Sequence, residues 1–410
     1  MYIAYNIVIY FYYYAVAIAQ LFSKKVRKMW KGDFAAIPYL KKHVRPEDRY
    51  IWFHAASLGE FEQGRPLMEK MREIYPEYKI LLTFFSPSGY EVRKDYHGAD
   101  LICYLPIDTP RNAFRFLNTI HPVMAFFIKY EFWYNYLHIL KHRNIPVFSV
   151  SSIFRDGQIF FRWYGRDYAK VLKCFTHLYV QNEKSRQLLS GIGITNVTIV
   201  GDTRFDRVLQ IKQQAKVLPI VENFVGNHER PVLVVGSSWP GDEEVIFPCQ
   251  CKLIIAPHNV SQERINHIIE KCGDKKIVRY SQADDKKQEQ IAAADVLIID
   301  GYGLLSSIYR YGDITMVGGG FDPTGVHNVL EAAVWEKPVI YGPDYKEYRE
   351  AIALRDSGGG LPVQDRKEYA AQLNHLLTDA DYLVQTAKKA GHYVSSQQGA
   401  TDMILKHTTL

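Results

Sequence analysis

The first residue of chemical interest is a glutamate that follows a short apolar run. Residues 51–55 have the composition of a buried strand, and Ser57, Gly59 and Glu60 come directly after it. A carboxylate at such a turn can take a proton from a hydroxyl group, which is general base catalysis. The spacing of Ser57 and Glu60 is also that of a capping box at a helix start. The spacing alone therefore leaves catalysis and capping open.

Two further turns in the first half of the chain follow apolar runs. Residues 84–89 offer hydroxyl groups and backbone amides, and residues 129–135 place charge against an apolar strand. Glu131 and Asn135 are four residues apart, a spacing that predicts one helical face. An ordinary turn or a solvated helix start would have the same pattern. The candidates for binding a substrate in this half are Ser57, Gly59, Ser88, Gly89, Lys129 and Glu131.

The second half contains a glycine-rich loop between an apolar run and a predicted helix. Such a loop can hold a phosphate group with backbone amides and the positive end of a helix, without a metal ion. A carboxylate one turn into the helix can accept both hydroxyl groups of a ribose. The alternatives are a cap formed by Asn328 and Glu331, and glycines that only permit close packing. The candidates for binding a nucleotide here are Gly318, Gly319, Gly320, Gly325, Asn328 and Glu331.

Two smaller loops follow the first two apolar runs of the second half. Residues 236–243 include Ser237, and residues 256–259 include Pro257 and His258. The chain has no H-E-x-x-H, G-x-S-x-G or P-loop motif, so zincins, serine hydrolases and P-loop kinases are disfavoured. The five cysteines form no C-x-x-C pair. We therefore expect phosphate to be held by protein groups, with no metal site and no cofactor.

The elements that must position these loops alternate between apolar runs and amphipathic stretches. This alternation predicts parallel sheets covered by helices. The polar stretch 211–230 is the predicted linker between two doubly wound Rossmann-like domains, 49–210 and 231–385, and 386–410 is predicted as a C-terminal helix able to pack on the first domain. In such folds ligands bind at the carboxyl ends of strands. We therefore expect the candidate loops to face a cleft between the domains.

The N-terminal segment 1–22 carries no charged side chain, and the segment 23–48, predicted as a linker, begins with a basic cluster at Lys24–Lys31. This arrangement predicts a membrane anchor or interfacial helix with the rest of the chain on the cytoplasmic side. A buried terminal core helix is the alternative. The basic cluster adjoins an apolar helix and no nucleic-acid motif is present, so anionic lipid is the predicted partner and nucleic acid is not.

Read in order, these segments resemble the 3-deoxy-D-manno-octulosonic acid (Kdo) transferases of lipopolysaccharide synthesis. The resemblance covers nearly the whole chain. It is carried by the apolar helix with its basic flank and by residues 54–60, 83–89, 131–135, 201–206, 236–243 and 318–331, followed by Pro338 and by Gly342 and Pro343.

The resemblance implies a glycosyltransferase B fold and transfer of Kdo from CMP-Kdo to a lipid A precursor, lipid IVA. It also implies that Glu60 is the catalytic base and that Asn328 and Glu331 lie near the phosphate and ribose of CMP in the second domain. The first domain would then receive the lipid. The implied location is the cytoplasmic face of the inner membrane, attached by the N-terminal helix.

Three positions depart from the family pattern: His258 stands where an arginine is expected, Gly303-Leu304 where Gly-Glu is expected, and Lys129 where a glutamate is expected. They leave two other interpretations open. One is a different enzyme of the same fold, such as a glycosyltransferase or epimerase that uses a UDP-sugar. The other is a non-catalytic, membrane-tethered binder of nucleotides or glycans.

Overall fold

The computed structural model describes residues 1–226 and 229–408 of the chain. The chain forms two compact units: Met1–Arg207 together with the stretch from Gly399, and Val208–Gln398. The boundary between Arg207 and Val208 lies inside the helix Thr203–Gln213. The predicted linker 211–230 contains the helix Pro219–Val225. Residues 227–228 of that linker and 409–410 of the predicted C-terminal segment lie outside the described residues.

Unit 1 is built on a parallel sheet of seven strands in the order β3-β2-β1-β4-β5-β6-β7. The strands are β1 (Tyr50–His54), β2 (Lys79–Phe84), β3 (Leu101–Tyr104), β4 (Pro122–Ile128), β5 (Val147–Ser152), β6 (His177–Val180) and β7 (Val197–Ile199). From the adjacent strands β1 and β4 the chain adds strands outward in opposite directions. The carboxyl ends of β1 and β4 therefore meet at the switch point of the sheet, where such folds bind ligands.

Helices cover both faces of this sheet because successive side chains of a strand point to opposite sides. Trp52 packs on one face with Phe116 and Tyr136, and Phe53 packs on the other with Phe61. The helices are α1 (Tyr2–Ala19), α2 (Lys24–His43), α3 (Leu58–Ile74), α4 (Pro87–Arg93), α5 (Pro110–Ile120), α6 (Tyr134–His142), α7 (Arg166–Ala169), α8 (Glu183–Gly191) and α9 (Thr203–Gln213).

The N-terminal part differs from the prediction of a linker over 23–48. Helix α2 occupies most of that segment: Ser23 caps it, and Ala36, Ile37 and Leu40 are buried at helical spacing. The basic residues lie on the other faces of α2. Because they are so numerous, the helical spacing of the buried apolar residues is hard to recognise in the sequence. Among the described residues, α1 is the one helix long and apolar enough to cross a membrane.

The C-terminal helix Ala400–Lys406 belongs to unit 1. The carboxylate of Asp206 accepts hydrogen bonds from the backbone amides of Gly399 and Thr401, each at 2.7 Å. The helix thereby buries Ile404 beside the core of the sheet. Asp206 lies in the segment 201–206 noted in the sequence, and in the structure it fastens the end of the chain.

Unit 2 repeats the architecture with a parallel sheet in the order β10-β11-β9-β8-β12-β13-β14. Its strands are β8 (Val232–Ser238), β9 (Lys252–Pro257), β10 (Ile277–Arg279), β11 (Val296–Ile298), β12 (Ile314–Val317), β13 (Val339–Tyr341) and β14 (Gly360–Pro362). Its helices are α10 (Pro219–Val225), α11 (Pro240–Ile246), α12 (Gln262–Cys272), α13 (Gln288–Ala292), α14 (Leu305–Ile308), α15 (Leu330–Ala333), α16 (Arg349–Asp356), α17 (Arg366–Thr378) and α18 (Ala380–Ser396). The switch point lies between β8 and β12, and the glycine-rich loop leaves β12.

Candidate active site

Glu60 lies on the first turn of α3, directly beyond the carboxyl end of β1. The backbone amide of Ser57 donates a hydrogen bond to Glu60 Oε2 at 3.1 Å, so the capping interaction is present. Capping leaves the carboxylate able to do chemistry, because its other oxygen is not used by this bond. Glu60 can therefore cap the helix and also act as a general base.

Several neighbours set the proton affinity of Glu60. Burial raises the pKa of its carboxyl group above the ordinary value, and the nearby charge of Glu131 raises this pKa further. The charges of His54 and Lys129 lower the same pKa. A carboxylate whose pKa is raised by burial is a stronger base than a solvated one.

Glu131 is held by a buried hydrogen-bonded chain. His54 Nε2 lies 3.2 Å from Glu131 Oε2, and the indole N–H of Trp133 donates to the same oxygen. On the other side of the imidazole, Nδ1 lies 2.9 Å from Thr83 Oγ1, which accepts a hydrogen bond from Trp52 Nε1 at 2.8 Å. The His54 side chain is fully buried, so the chain of contacts fixes the Glu131 carboxylate beside the turn that bears Glu60.

The predicted helical face of Glu131 and Asn135 is wrong. Glu131 precedes α6, which begins at Tyr134, while Asn135 is buried and donates hydrogen bonds to Asn6 and to the backbone of Asp108. The spacing does not place the two side chains together because the chain is not yet helical at Glu131.

Lys129 follows β4 with a backbone φ of 64°, the left-handed region that side chains other than glycine seldom adopt. Its amide donates to the Val150 carbonyl at 2.8 Å, and its carbonyl accepts from Ser152 Oγ at 2.7 Å. These two bonds hold the strained turn, at a cost on the order of 1 kcal/mol. The turn brings the Lys129 charge to the Glu60 carboxyl group, where it lowers that group's pKa.

The turn at Ser88 and Gly89 packs against the turn at Ser57. A side chain at Gly89 would place its Cβ atom 2.3 Å from Phe84 and 3.1 Å from the backbone of Ser57. Ser88 is tied locally, because its hydroxyl lies 3.0 Å from that of Ser86. Gly59 differs, since a Cβ atom there would have no protein atom within 4 Å. The space beside Gly59 is thus open next to Glu60.

The glycines of the unit 2 loop are enclosed by protein. A Cβ atom at Gly318 would lie 2.4 Å from the Ser237 carbonyl, and one at Gly320 would lie 2.6 Å from the backbone of Gly342. Gly319 and Gly325 have positive φ angles and are equally crowded. Close packing therefore accounts for all four glycines, and their role in phosphate binding stays a prediction.

Asp242, which the sequence reasoning missed as a site residue, organises this loop. Its Oδ2 accepts hydrogen bonds from the amides of Gly319 at 2.8 Å and Trp239 at 2.9 Å. The Gly319 amide is thus engaged by Asp242, and its role in phosphate binding stays a prediction. Burial raises the pKa of Asp242 to about 6. The detectable signal was the three-residue spacing from Trp239, that of a helix cap.

The helix after the glycine loop is short. Helix α15 is one turn long, and Asn328 precedes it. Asn328 Nδ2 donates to Glu331 Oε1 at 3.0 Å, and Asn328 Oδ1 accepts from the amide of Leu330 at 3.2 Å. The predicted pairing of Asn328 with Glu331 is present, and both side chains remain partly exposed.

Three rings stack at the carboxyl ends of β8 and β9. The ring of His258 lies 4.7 Å from that of Trp239 and 4.6 Å from that of His327, between centroids. Trp239 Nε1 donates to His327 Nε2 at 2.9 Å, so the neutral His327 carries its hydrogen on Nδ1. Burial lowers the pKa of His327 to about 4. The sequence pattern indicates His258 with Pro257 and Ser237 but not Trp239 or His327, because the stack joins three separate loops.

No group of three or more His, Cys, Asp or Glu side chains that could hold a metal ion occurs in the part of the chain that the structure describes. The five cysteines are buried and unpaired.

Two doubly wound units, each with its candidate residues at the switch point, define a protein of the glycosyltransferase B fold class. The solved structure of MurG from Acinetobacter baumannii is similar in fold. The match has a TM-score of 0.52 and 13% sequence identity, and it covers 88% of this chain and 99% of that one. UDP-GlcNAc 2-epimerase of Neisseria meningitidis, solved with UDP-GlcNAc, has a TM-score of 0.57 and 15% identity, over 87% and 98%. At these identities the likeness concerns the fold alone.

Residues 28–207 match the family model described as 3-deoxy-D-manno-octulosonic-acid transferase (kdotransferase). The 3-deoxy-D-manno-octulosonic acid transferase of Rickettsia bellii is 26% identical over 382 residues, which cover 89% of this chain and 87% of that protein. The enzyme of the same name from Aquifex aeolicus is 27% identical over 347 residues, covering 80% and 86%. Residues 28–207 therefore match the Kdo transferase family, the relatives of that name extend the similarity over most of the chain, and together they support glycosyl transfer as its class of activity.

Proposed function

We propose that this protein transfers Kdo from CMP-Kdo to a lipid A precursor, lipid IVA, in lipopolysaccharide biosynthesis, with Glu60 as the general base. The observation that carries the proposal is the position of Glu60: a partly buried carboxylate with a raised pKa at the switch point of unit 1, beside open space at Gly59. Unit 1 would bind the acceptor through Ser57, Gly59, Ser88, Gly89, Lys129 and Glu131.

The proposed reaction is a single displacement with inversion. Glu60 takes the proton of the acceptor hydroxyl group while that oxygen forms a bond to the ketosidic carbon of Kdo. The bond from that carbon to the phosphate oxygen of CMP breaks on the opposite face, and CMP leaves with the electron pair. A phosphate leaving group needs no general acid, so one carboxylate is sufficient, unlike the pair used by glycosidases.

The charges around Glu60 suit this chemistry. The acceptor and the donor are both anionic, and the Lys129 cation supplies a favourable charge near the base. Glu131, fixed by His54 and Trp133, keeps the proton affinity of Glu60 high. We propose that the two opposing charges hold Glu60 ionised at neutral pH while preserving its strength as a base.

Unit 2 would bind the donor. Asn328 and Glu331 are proposed to lie near the phosphate and ribose, and the ring stack of Trp239, His258 and His327 would shape the adjoining surface. CMP-Kdo acts as a substrate, and we propose that neither a metal ion nor a cofactor takes part. The enclosed glycines Gly318, Gly319, Gly320 and Gly325 fix the loop in place, and the Ser237 carbonyl packs against Gly318. Ser237 and Pro257 are proposed to complete the donor site.

The lipid acceptor places the protein at a membrane. We propose that α1 attaches the chain to the cytoplasmic face of the inner membrane and that the basic residues of Lys24–Lys31 meet the phosphates of anionic lipids.

The experiment that tests this function is transfer by the purified full-length protein from freshly generated CMP-Kdo to tetra-acylated lipid A precursor, with EDTA present, read by mass spectrometry. We expect a mass gain of one or more Kdo units that EDTA does not prevent. Activity only with a UDP-sugar donor would contradict the proposed donor and favour another enzyme of the same fold. Binding without turnover of any donor would favour the non-catalytic alternative.

A further inference from the structure

We infer that α1 lies flat in the membrane interface instead of crossing the bilayer, and that the loop 159–165 of unit 1 is a second membrane contact, inserting Trp163 and Tyr164 beside it. The inference rests on the proposed attachment to an anionic lipid surface. It concerns how unit 1 is oriented on that surface.

Helix α1 is fastened to unit 1 at its N-terminal end. Tyr5 Oη donates to Asp108 Oδ2 at 2.7 Å, and Asn6 Oδ1 accepts from Asn135 Nδ2 at 2.9 Å. Asp108 and Asn135 are buried in the folded unit. Breaking these bonds would leave buried polar groups unsatisfied, which is unfavourable.

A spanning helix is incompatible with these contacts. The basic residues after α1 would stay on the side of the folded unit, so the N-terminus would lie across the bilayer, about 27 Å away for 18 residues. Tyr5 and Asn6 cannot be there and also contact Asp108 and Asn135. The opposite end of α1 is fastened as well, because Tyr13 packs on Trp30 at 5.0 Å between ring centroids and Val16 is buried.

The face of α1 turned away from unit 1 is a continuous apolar stripe. The exposed residues of this stripe recur at spacings of three and four, which one side of a helix requires: Ile3, Ile7, Phe11, Tyr14 and Ile18. Phe11 is 78% exposed. An open groove of about 550 Å³ runs along α1 beside Pro110. Because α1 is fastened to unit 1 at both ends, it can bury this stripe in lipid only by lying along the membrane surface.

The loop 159–165 lies next to α1. Tyr168 stacks on Tyr5 of α1 at 6.0 Å and on Phe160 of the loop at 5.4 Å, between ring centroids. The loop is folded tightly, because a Cβ atom at Gly165 would lie 1.8 Å from the Ile159 carbonyl oxygen. From this loop Trp163 projects with 81% of its surface exposed and Tyr164 with 60%. Tryptophan and tyrosine are the side chains enriched at membrane interfaces.

The charges near both elements match an anionic lipid surface. Exposed cations follow α1 on α2 and flank the loop in the sequence: Lys24, Lys25, Arg27, Lys28, Lys31, Arg162, Arg166, Lys170 and Lys173. Two of them are paired with carboxylates, Lys28 with Glu91 and Lys170 with Asp167. Each cation near an anionic membrane surface adds to the electrostatic attraction. Exposed apolar side chains next to cations are typical of a surface that binds anionic phospholipid. This charge complementarity favours anionic lipid as the partner of this surface.

The test uses the full-length protein with single cysteines that carry an environment-sensitive fluorophore, which is practicable because the five native cysteines are buried. Separate variants place the label at Ile3, Phe11, Ile18 and Trp163, with Ile74→Cys as the exposed control on α3, which packs on the opposite face of the unit 1 sheet from α1. Vesicles of phosphatidylethanolamine and phosphatidylglycerol contain lipids brominated at known depths. We expect shallow and similar depths at the first four positions and no quenching at position 74.

Label depths that place positions 18 and 3 on opposite sides of the bilayer centre, with position 11 near it, would overturn the flat orientation. A label at position 163 that stays in water would overturn the second contact. We also expect the double variant Trp163→Ser and Tyr164→Ser to bind vesicles about tenfold more weakly, with the control variant Ile74→Ser unchanged. If the double variant bound vesicles as tightly as the control variant, the loop would not be a membrane contact. Kdo transfer to a detergent-dispersed acceptor without any vesicle binding would refute membrane attachment while leaving the proposed reaction intact.

Discussion

His54 Nε2 lies 3.2 Å from the Oε2 atom of Glu131, and this buried contact joins the ends of β1 and β4 at the switch point of unit 1. The imidazole is fixed on its other side by Thr83, so it can hold Glu131 in one place. The effect extends to Glu60, whose pKa Glu131 raises. The contact between His54 and Glu131 therefore links the packing of β1 and β4 to the pKa of the proposed base.

We predict that Glu131→Gln shifts the acid limb of the pH dependence of kcat/KM to lower pH. Removing the negative charge lowers the pKa of Glu60, so the ionised base persists at lower pH. Glutamine keeps an oxygen that can accept from Trp133. The measurement is kcat/KM for Kdo transfer from pH 4.5 to 8, and a limb that stays in place would show that Glu60 is not the titrating group.

We predict the opposite shift for Lys129→Gln. Removing this cation raises the pKa of Glu60, so the acid limb moves to higher pH. The two variants act as matched controls for each other because they remove charges of opposite sign near one carboxyl group. Shifts in the same direction would indicate a general disturbance of the fold and not a charge effect.

Gly59→Ala separates substrate space from protein packing. The methyl group would meet no protein atom within 4 Å, so we expect the thermal midpoint to change by less than about 2 °C. Kdo transfer should fall by about tenfold or more if the acceptor occupies this space. In Gly320→Ala the methyl group would lie 2.6 Å from the backbone of Gly342, and we expect that variant to lose stability. Unchanged transfer by Gly59→Ala would place the acceptor elsewhere.

The sequence predicted the central strands well because parallel strands buried on both faces are short runs of apolar residues. It missed β14, since Gly360–Pro362 begins with glycine and ends with proline, residues typical of turns. It also described 23–48 as a linker, because the basic residues of α2 outnumber the apolar side chains that face the core.

Within the candidate site, local spacing identified Glu60 with Ser57 and Asn328 with Glu331, since both pairs are three residues apart. It could not identify contacts between distant segments. Asp242 reaches Gly319 across 77 positions, and Trp239 reaches His327 across 88. Such pairs depend on which strands are neighbours in the sheet, and spacing along the chain does not contain that information.

Trp239→Phe tests the ring stack as part of a donor site. The variant keeps an aromatic ring but leaves His327 Nε2 without its indole donor, a loss of about 1 kcal/mol. We expect KM for CMP-Kdo to rise about 3- to 10-fold with kcat little changed, because ground-state and transition-state binding weaken together. A fall in kcat at constant KM would contradict a binding role.

Asp242 should make the stability of the protein depend on pH. Its pKa of about 6, against 3.8 in an unfolded chain, means that the folded protein keeps this proton longer as pH rises. The stability that this group contributes is full below about pH 4 and is lost as pH rises through 6, by on the order of 1–3 kcal/mol. We expect the unfolding free energy of Asp242→Asn to fall less than that of the parent between pH 4 and 7. Parallel curves would contradict the raised pKa.

The most direct test of the central claim is the turnover of Glu60→Gln in Kdo transfer from CMP-Kdo to the lipid A precursor. Glutamine retains the oxygen that accepts from the Ser57 amide, so the helix start is preserved while the base is removed. The matched control is Glu73→Gln, an exposed glutamate on the same helix. We predict a loss of about 10²- to 10⁴-fold in kcat for Glu60→Gln and none for Glu73→Gln. Turnover by Glu60→Gln equal to that of the parent protein would contradict the assignment of Glu60 as the base.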